Sequence, residues 1–428
     1  MPTTRGRLVA ATGFIAFVVG RLFGATPLEQ VGFGLIVLVA VAVGVVRLGR
    51  HDIGVERSVS PERARPGQPV SVRLKLVNRG RGPAPLMLFE DRLPSGLGGA
   101  SRFALKGVEA GGHRTTQYEV KPARRGLYAV GPLEMLSVDP FGLAGVRSEA
   151  AGTARFLVHP AVERLTLPRD MGEQRSLASS ALRQPTGAQG EEFYTLREYV
   201  EGDDLRKIHW ASTAKRRKYM IRQEETPWHT RATVLVDDRA GSYDGAYSSF
   251  ERAVEGAASL AHLYHRSGYS LRLAGAHHPG LPAGRGLDNL HRCLDLLATL
   301  QARPDVPDPL PAKLASLEAG GSPEGTLVVV TGTPSGSLAA VCTRARRRFR
   351  EVVVVSYPAH RYGSGPTTMA RWESEKATME AIRLLSRSGL RALVVGPGEP
   401  LALGWTTVSS GARHRGGEAT WAQRPELV

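Results

Sequence analysis

Cysteine is nearly absent from this sequence, which contains only Cys293 and Cys342. Neither has a partner at a metal-ligand spacing, so the sequence argues against a disulfide framework and fits a reducing compartment. Nucleotide-binding and hydrolase motifs are also missing, because there is no Walker A sequence, no G-x-G-x-x-G after a strand, no H-E-x-x-H and no G-x-S-x-G. The enzyme class therefore has no positive support, and we predict a protein that is not an enzyme and uses no cofactor.

What the sequence does contain is typical of a globular protein of two or three domains: 428 residues, 42% of them hydrophobic, with 49 Gly and 28 Pro. Positive charge is in excess, with a formal net charge of +16 and an isoelectric point near 10.3. Nucleic-acid-binding proteins have such an excess, but so do membrane proteins with Lys and Arg on their cytoplasmic side. A basic soluble surface without a specific ligand is the third interpretation.

Two apolar runs occupy the N-terminus, at residues 8–19 and 31–46. Basic residues lie before the first run and after the second, whereas the connecting turn holds only Arg21 and Glu29. By the positive-inside rule, residues 1–51 are predicted to form a two-helix transmembrane hairpin in the cell membrane with both ends in the cytoplasm. The alternative is a cleaved signal peptide formed by the first run. The flanking basic residues are Arg5, Arg7, Arg47, Arg50 and His51.

Residues 52–165 have the period-two pattern of β-strands. In "VSVRLKL", which starts at Val70, Val and Leu alternate with Ser, Arg and Lys, as in a strand with one buried face. Similar runs recur between Gly and Pro residues, without helical periodicity, and they predict an all-β sandwich. Residues 166–190 are polar and irregular, which is typical of a linker.

From residue 231 onward, short apolar runs such as "ATVLV", "TLVVV" and "EVVVV" alternate with amphipathic helical segments. Fully apolar strands between such helices indicate a parallel sheet that is covered on both faces. We therefore predict an α/β domain at residues 231–428, a doubly wound parallel sheet with its ligands at the carboxyl ends of the strands. The predicted helices cover residues 249–265, 287–300, 338–349 and 375–388.

The segment between these domains, within residues 166–230, is unusually rich in charge. Acids at Asp203 and Asp204 precede Leu205, Ile208 and Ala211, which predicts a helix that starts at the acids. Arginines able to hold carboxylates through two hydrogen bonds, together with Tyr and Trp, are typical of a rigid docking element. The residues predicted to form this interaction or structural element are Arg197, Tyr199, Gly202, Asp203, Asp204, Arg206, His209, Trp210, Arg222 and Glu225.

Two long motifs resemble the domain of unknown function 58 (DUF58) family: "RRGLYAVGPLEMLSVDPFGL" at residues 124–143 and "GEEFYTLREYVEGDDLRKIHWASTAKRRKYMIRQEE" at residues 190–225. With the two N-terminal runs, the resemblance extends over nearly the whole chain. It implies a membrane-linked bacterial protein with a von Willebrand factor A-like C-terminal domain and no established activity. It also implies two kinds of partner, a MoxR-type AAA+ ATPase and a transglutaminase-like membrane protein.

A von Willebrand A domain often binds Mg²⁺ through D-x-S-x-S after its first strand, because hard cations need carboxylate and hydroxyl oxygens. In this chain the loop reads Asp237, Asp238, Arg239, Ala240, Gly241, Ser242. Neither register supplies both hydroxyls, and the cationic Arg239 would repel a metal. We therefore predict a degenerate site without a metal.

Catalysis and nucleic-acid binding are the two alternatives to an interaction protein. Asp204, His209 and Ser212 have the residue types of a catalytic triad, but their spacing on one helix does not predict a hydrogen-bonded chain. Leu338, Val341, Ala345 and Phe349, in and before the basic run "TRARRRFRE", follow helical spacing. The arginines at 344, 346, 347 and 350 are thus predicted to lie mainly on the outer face, a solvated or membrane-facing helix surface. An interaction protein is thus preferred over an uncharacterised hydrolase or a basic nucleic-acid-binding protein.

Overall fold

A computed structural model of the chain describes residues 1–48, 52–80, 82, 84, 87–98, 100–105, 107–150, 152–167, 195–198, 208–223, 231–243, 247–304, 308–318, 324–363 and 368–409. These residues divide into two compact units, Met1–Ala161 and Val162–Val428. The protein is a mixed α/β protein with several sheets and two apolar helices at its N-terminus.

The first unit begins with two helices, α1 (Thr4–Phe23) and α2 (Thr26–Leu48), which are each long and apolar enough to cross a membrane. Glycine permits them to pack closely, since a Cβ atom at Gly13 of α1 would lie 2.9 Å from the carbonyl oxygen of Gly32 in α2. The chain reverses at Gly24, whose φ of 67° lies in the left-handed region that favours glycine. The two apolar runs of the sequence therefore form an antiparallel helical hairpin.

Ten strands follow in the described part of the first unit, arranged in sheets of order β1-β3-β6, β2-β10-β7 and β5-β4-β8-β9. The alternation in the sequence is confirmed in the third strand, where Val70, Val72, Leu74 and Leu76 are fully buried. Two apolar clusters form where side chains of the sheet β1-β3-β6 meet those of the other two sheets. The strands are β1 (Ile53–Ser60), β2 (Arg63–Ala64), β3 (Val70–Asn78), β4 (Met87–Asp91), β5 (Ser101–Leu105), β6 (His113–Val120), β7 (Gly126–Val130), β8 (Leu133–Val138), β9 (Gly145–Ala150) and β10 (Ala154–Val158).

An ion pair lies within this apolar interior. Arg57 of β1 donates to Asp91 of β4 over 2.6 Å, and the two side chains are almost completely buried. Burial raises the pKa of Asp91, while hydrogen bonds from Tyr118 of β6 and Arg57 act in the opposite direction. The pair therefore links strands of two different sheets. Because both side chains are buried, water cannot take the place of either partner if one is removed.

The second unit contains a short antiparallel pair of strands and then a regular alternation of strands and helices. Its elements are β11 (Thr195–Glu198), α3 (Trp210–Arg216), β12 (Met220–Gln223), β13 (Arg231–Val236), a 3₁₀ helix (Ala240–Tyr243), α4 (Tyr247–Arg266), β14 (Ser270–Gly275), β15 (Leu281–Gly284), α5 (Gly286–Thr299), α6 (Leu310–Glu318), β16 (Glu324–Thr331), α7 (Gly336–Ala345), β17 (Phe349–Ser356), α8 (Ala359–Tyr362), α9 (Thr368–Arg387), β18 (Arg391–Val394) and α10 (Leu401–Ser409).

Six of these strands form one sheet in the order β15-β14-β13-β16-β17-β18. All neighbours are parallel except β14 and β15, so the predicted parallel sheet has one antiparallel edge. Helices cover both faces, because Val328 and Val330 of β16 lie in one apolar cluster and Leu327 and Val329 lie in another. This explains why the strands read as uninterrupted apolar runs.

The helices predicted at residues 249–265 and 287–300 are confirmed within two residues, and the one predicted at 375–388 begins seven residues earlier, at Thr368. Residues 338–349 were predicted as a single helix, but α7 ends at Ala345 and Phe349 begins β17. Phe349 is buried, at 2% exposure, although it belongs to a strand. Its spacing from Val341 and Ala345 therefore matches a helical period by coincidence. Arg344, Arg346, Arg347 and Arg350 are exposed, as the sequence predicted.

Candidate functional site

The order of strands places a switch point at the carboxyl end of β13. From β13 the chain moves to β14 and β15 on one side, and then returns to β16 on the other side of β13. The loops at such a point diverge and leave a crevice between the two strands. Asp237 and Asp238 follow β13 directly, and Thr331 is the last residue of β16.

The crevice is filled by an ion pair formed within the loop itself. Arg239 folds back on Asp237, with Nε 2.8 Å from Oδ1 and Nη2 2.9 Å from Oδ2. Ser242 Oγ and Thr331 Oγ1 donate to the same Oδ2 over 2.8 and 2.7 Å. Asp237 is completely buried, and Arg239 is 7% exposed.

These contacts decide whether a divalent cation fits the carboxylate. Both oxygens of Asp237 already accept charge-assisted or hydroxyl hydrogen bonds, and the guanidinium supplies the positive charge that a metal would supply. In the described residues there is no group of three or more His, Cys, Asp or Glu side chains placed to hold a metal. The donor set therefore does not fit Mg²⁺. The Arg239 guanidinium itself occupies the position beside Asp237 that the ion would take.

The sequence reasoning missed that Ser242 and Thr331 would meet at one oxygen. Neither D-x-S-x-S register supplies both hydroxyls, and the one from Asp238 matches only at Ser242, yet the 3₁₀ helix turns Ser242 back towards Asp237. Close packing allows this, because a Cβ atom at Gly332 would collide with the carbonyl oxygen of Ser242. Thr333 N then donates to that oxygen over 2.6 Å.

Asp238 points to the other side of the loop and pairs with a histidine. Its Oδ1 accepts from His277 N over 2.8 Å and lies 3.1 Å from His277 Nδ1. The second ring nitrogen, Nε2, lies 2.9 Å from the carbonyl oxygen of Pro304. Both nitrogens thus face oxygen acceptors, so this histidine is held in place and does not contact a nucleophilic side chain.

Burial affects the neighbouring basic groups. It lowers the pKa of Lys313, an effect that the nearby Asp238 carboxylate partly offsets. It also lowers the pKa of His278. Lys313 Nζ donates to the carbonyl oxygens of His278 and Pro279, each over 2.8 Å. This cluster therefore fastens α6 to the loop after β14.

The predicted docking element lies before β13. Strands β11 and β12 pair antiparallel, with Arg197 opposite Ile221 and Arg222 opposite Leu196. Six of its predicted residues lie outside the described part of the chain: Tyr199, Gly202, Asp203, Asp204, Arg206 and Glu225.

The start of the predicted helix, at Asp203 and Asp204, lies outside the described residues, and its continuation differs from the prediction. Ile208 is not helical, and α3 starts at Trp210 with His209 as its N-cap. Nδ1 of His209 accepts from Ser212 N over 3.1 Å and lies 2.8 Å from Ser212 Oγ. His209 and Ser212 are therefore in contact, and the contact caps a helix. Asp204 lies outside the described residues, so the absence of a triad stays a prediction.

Trp210 is an exposed residue of this element, at 66%. Its position is fixed at both ends of α3, because His209 N donates to Met220 O over 2.8 Å and Arg217 closes the helix in a left-handed conformation with φ of 55°. The residues after Trp210 add positive charge to the same short stretch. The exposed basic side chains are Lys215, Arg216, Arg217 and Lys218.

Comparison with known proteins supports the resemblance in part. Residues 195–359 match the family described as protein of unknown function DUF58. The match covers less than half of the chain and includes both the docking element and the Asp237 loop, but not the motif at residues 124–143. No curated protein matches the chain.

Likenesses to solved structures are slight. The DNA glycosylase AlkC of Pseudomonas fluorescens is 16% identical over 31% of this chain and 38% of its own, with a TM-score of 0.19. A CARDB domain from Pyrococcus furiosus is 14% identical over 26% of this chain and 88% of its own, with a TM-score of 0.19. The putative ApaA protein of Bordetella pertussis is 14% identical over 25% and 94%, with a TM-score of 0.20. The chain thus spans little more than a third of AlkC, and these values do not identify a fold.

Removing the guanidinium should destabilise the second unit strongly. Arg239→Ala leaves the buried Asp237 carboxylate without its counter-ion, and we expect a loss of about 3–5 kcal/mol in the free energy of unfolding. Asp308→Asn is the matched control, since Asp308 also contacts Arg239 over 3.1 Å but its side chain is 39% exposed. Thermal and denaturant unfolding of both variants measure the difference. Equal, small losses in both would contradict the assigned role of the buried pair.

Proposed function

We propose that this chain is a membrane-anchored protein-interaction protein whose second unit docks onto a MoxR-type AAA+ ATPase during the assembly or maturation of other proteins. The observation that carries the proposal is the exposed Trp210, held rigidly on a capped helix beside a row of basic side chains. Exposed tryptophans and arginines on a fixed scaffold are the residues that contribute most to protein–protein binding. The identity of the ATPase rests on the family resemblance, as does a transglutaminase-like membrane protein as second partner.

The fold of the second unit is proposed to be von Willebrand A-like, and that of the strands in the first unit a sandwich. Two features of the second unit support this: the strand order with its single antiparallel edge at β15, and a buried carboxylate with Ser and Thr hydroxyls after the central strand. Because Arg239 takes the place of a cation, the docking is proposed to be independent of divalent metals.

Helices α1 and α2 are proposed to anchor the protein in the cell membrane, with the rest of the chain in the cytoplasm. Exposed apolar side chains cover both helices, among them Leu8, Phe14 and Val41, at 65%, 61% and 56%. Such a surface is costly in water and suited to lipid. Arg5 and Arg7 at the start of α1 and Arg47 at the end of α2 place positive charge at the same end of the hairpin.

The proposed orientation predicts that reporter fusions at Asp52 and at the C-terminus are cytoplasmic, because the basic residues lie outside the hairpin rather than in its turn. A fusion in the turn at Gly24 serves as the control and should be exported. Fusions that respond selectively to the cytoplasm or the periplasm provide the measurement. An exported Asp52 reporter would overturn both the orientation and a cytoplasmic partner.

Trp210→Ala should weaken ATPase capture by about 2 kcal/mol or more, which is roughly 30-fold in affinity. The reason is that the substitution removes the exposed apolar side chain of the docking element. Trp372→Ala on α9 is the matched control, because Trp372 is also exposed, at 57%, but lies outside the docking element. The measurement is the amount of MoxR-type ATPase retained by the tagged full chain from native membranes.

Retention that is lost with Trp372→Ala and kept with Trp210→Ala would contradict the assignment of the surface. The exposed basic row also permits the nucleic-acid alternative, and titration with an oligonucleotide separates the two. Salt-dependent oligonucleotide binding that is lost with Trp210→Ala, without any captured ATPase, would replace the docking proposal.

A further inference from the structure

We propose that residues 139–144, the loop between β8 and β9, insert into the lipid interface beside the hairpin with Phe141 as the inserted side chain. This loop is called the interface loop below. The inference rests on the proposed membrane anchoring, and the partner of the interface loop is the headgroup region of a bilayer. Nothing in the sequence pattern alone separates Phe141 from an ordinary surface aromatic residue.

The interface loop is hydrogen-bonded to the first residues of the chain. Thr3 N donates to the carbonyl oxygen of Leu143 over 2.8 Å, and Gly145 N donates to that of Met1 over 2.9 Å. Thr3 Oγ1 donates to the carbonyl oxygen of Gly142 over 2.6 Å and also accepts from Gly6 N, so the residue that caps α1 holds the loop as well. The loop is therefore fixed at the start of the first proposed span.

Packing sets the depth of the interface loop. A Cβ atom at Gly6 would collide with the carbonyl oxygen of Leu143, so glycine lets the loop backbone contact the first turn of α1. The Leu143 side chain is buried in an apolar cluster with Ala42 and Val46 near the end of α2. Gly6 lies between the exposed Arg5 and Arg7, whose charges belong at the level of lipid headgroups. The loop thus lies at the boundary between headgroups and hydrocarbon.

Phe141 is held outward at this level. Its side chain is 69% exposed, while Asp139 accepts hydrogen bonds from Phe141 N at Oδ2 and from Gly142 N at its carbonyl oxygen, each over 2.9 Å. Leu8 of α1 and Val45 of α2 are also exposed, at 65% and 57%, near the same end of the hairpin. An exposed Phe beside the exposed apolar ends of two proposed spans suits insertion at the boundary between headgroups and acyl chains.

The sheet that carries the interface loop places apolar and basic side chains next to the loop. Leu88 pairs with Leu136, and Leu136 with Arg147, in the part of the sheet next to the loop. Two positions farther away Glu134 lies opposite both Glu90 and Glu149, and these acids pair with Arg92 and Arg102. Apolar side chains and the basic Arg147 next to the loop suit an anionic lipid surface.

The test uses the full chain in vesicles of phosphatidylcholine and phosphatidylglycerol, with an environment-sensitive fluorophore on Phe141→Cys. Burial raises the pKa of both native thiols, Cys293 and Cys342, to about 12, so the introduced thiol is labelled selectively. Leu127→Cys is the matched control, because Leu127 is 53% exposed and pairs with Leu157 near the end of β10, away from the interface loop. Val41→Cys, in the middle of α2, reports whether the hairpin itself is in lipid.

Lipids with a quencher near the headgroup should reduce the Phe141→Cys emission several-fold and leave the Leu127→Cys emission unchanged. If the Val41→Cys probe is quenched by deeply placed quenchers but the probe at residue 141 behaves like the Leu127 control, the interface loop does not insert and this inference is wrong. If the Val41→Cys probe is not quenched either, the proposed anchoring fails as well. Disulfide crosslinking of two Phe141→Cys chains without quenching would show a second copy in place of lipid.

Discussion

The buried ion pair between Asp237 and Arg239 determines what the carboxyl edge of the large sheet can do. In a doubly wound sheet this edge is the usual place for a ligand, and a carboxylate with two hydroxyls is a good start for a cation site. The guanidinium satisfies that carboxylate from within the same loop. The crevice becomes a structural joint between β13 and β16, and the surfaces left for function lie elsewhere.

Those surfaces lie at two places with different chemistry. In the second unit, Trp210 is presented with basic side chains on a short capped helix, which suits a protein partner. In the first unit, the apolar hairpin and the loop around Phe141 suit a lipid surface. A membrane tether in the first unit and a docking element in the second are the two parts of the interaction protein that we propose.

Much of the fold could be predicted from the sequence because its patterns are local. Uninterrupted Val-rich runs indicated buried parallel strands, and the segment at residues 249–265 lies within α4 (Tyr247–Arg266). Predictions that depended on spacing alone were less secure. Phe349 matched a helical period but begins a strand, and Ile208, which was expected within a helix, is not helical.

The candidate site could be predicted only in part, because the sequence does not show how its side chains turn. The ion pair joins residues two positions apart, whereas Thr331 reaches Asp237 from 94 positions away. The sequence identified Arg239 as unfavourable for a metal, but not that its side chain turns inward. The most direct test is calorimetric titration of Mg²⁺ and Mn²⁺ into the purified full chain. An internal guanidinium predicts no binding heat and an unchanged melting temperature, whereas a micromolar dissociation constant would contradict it.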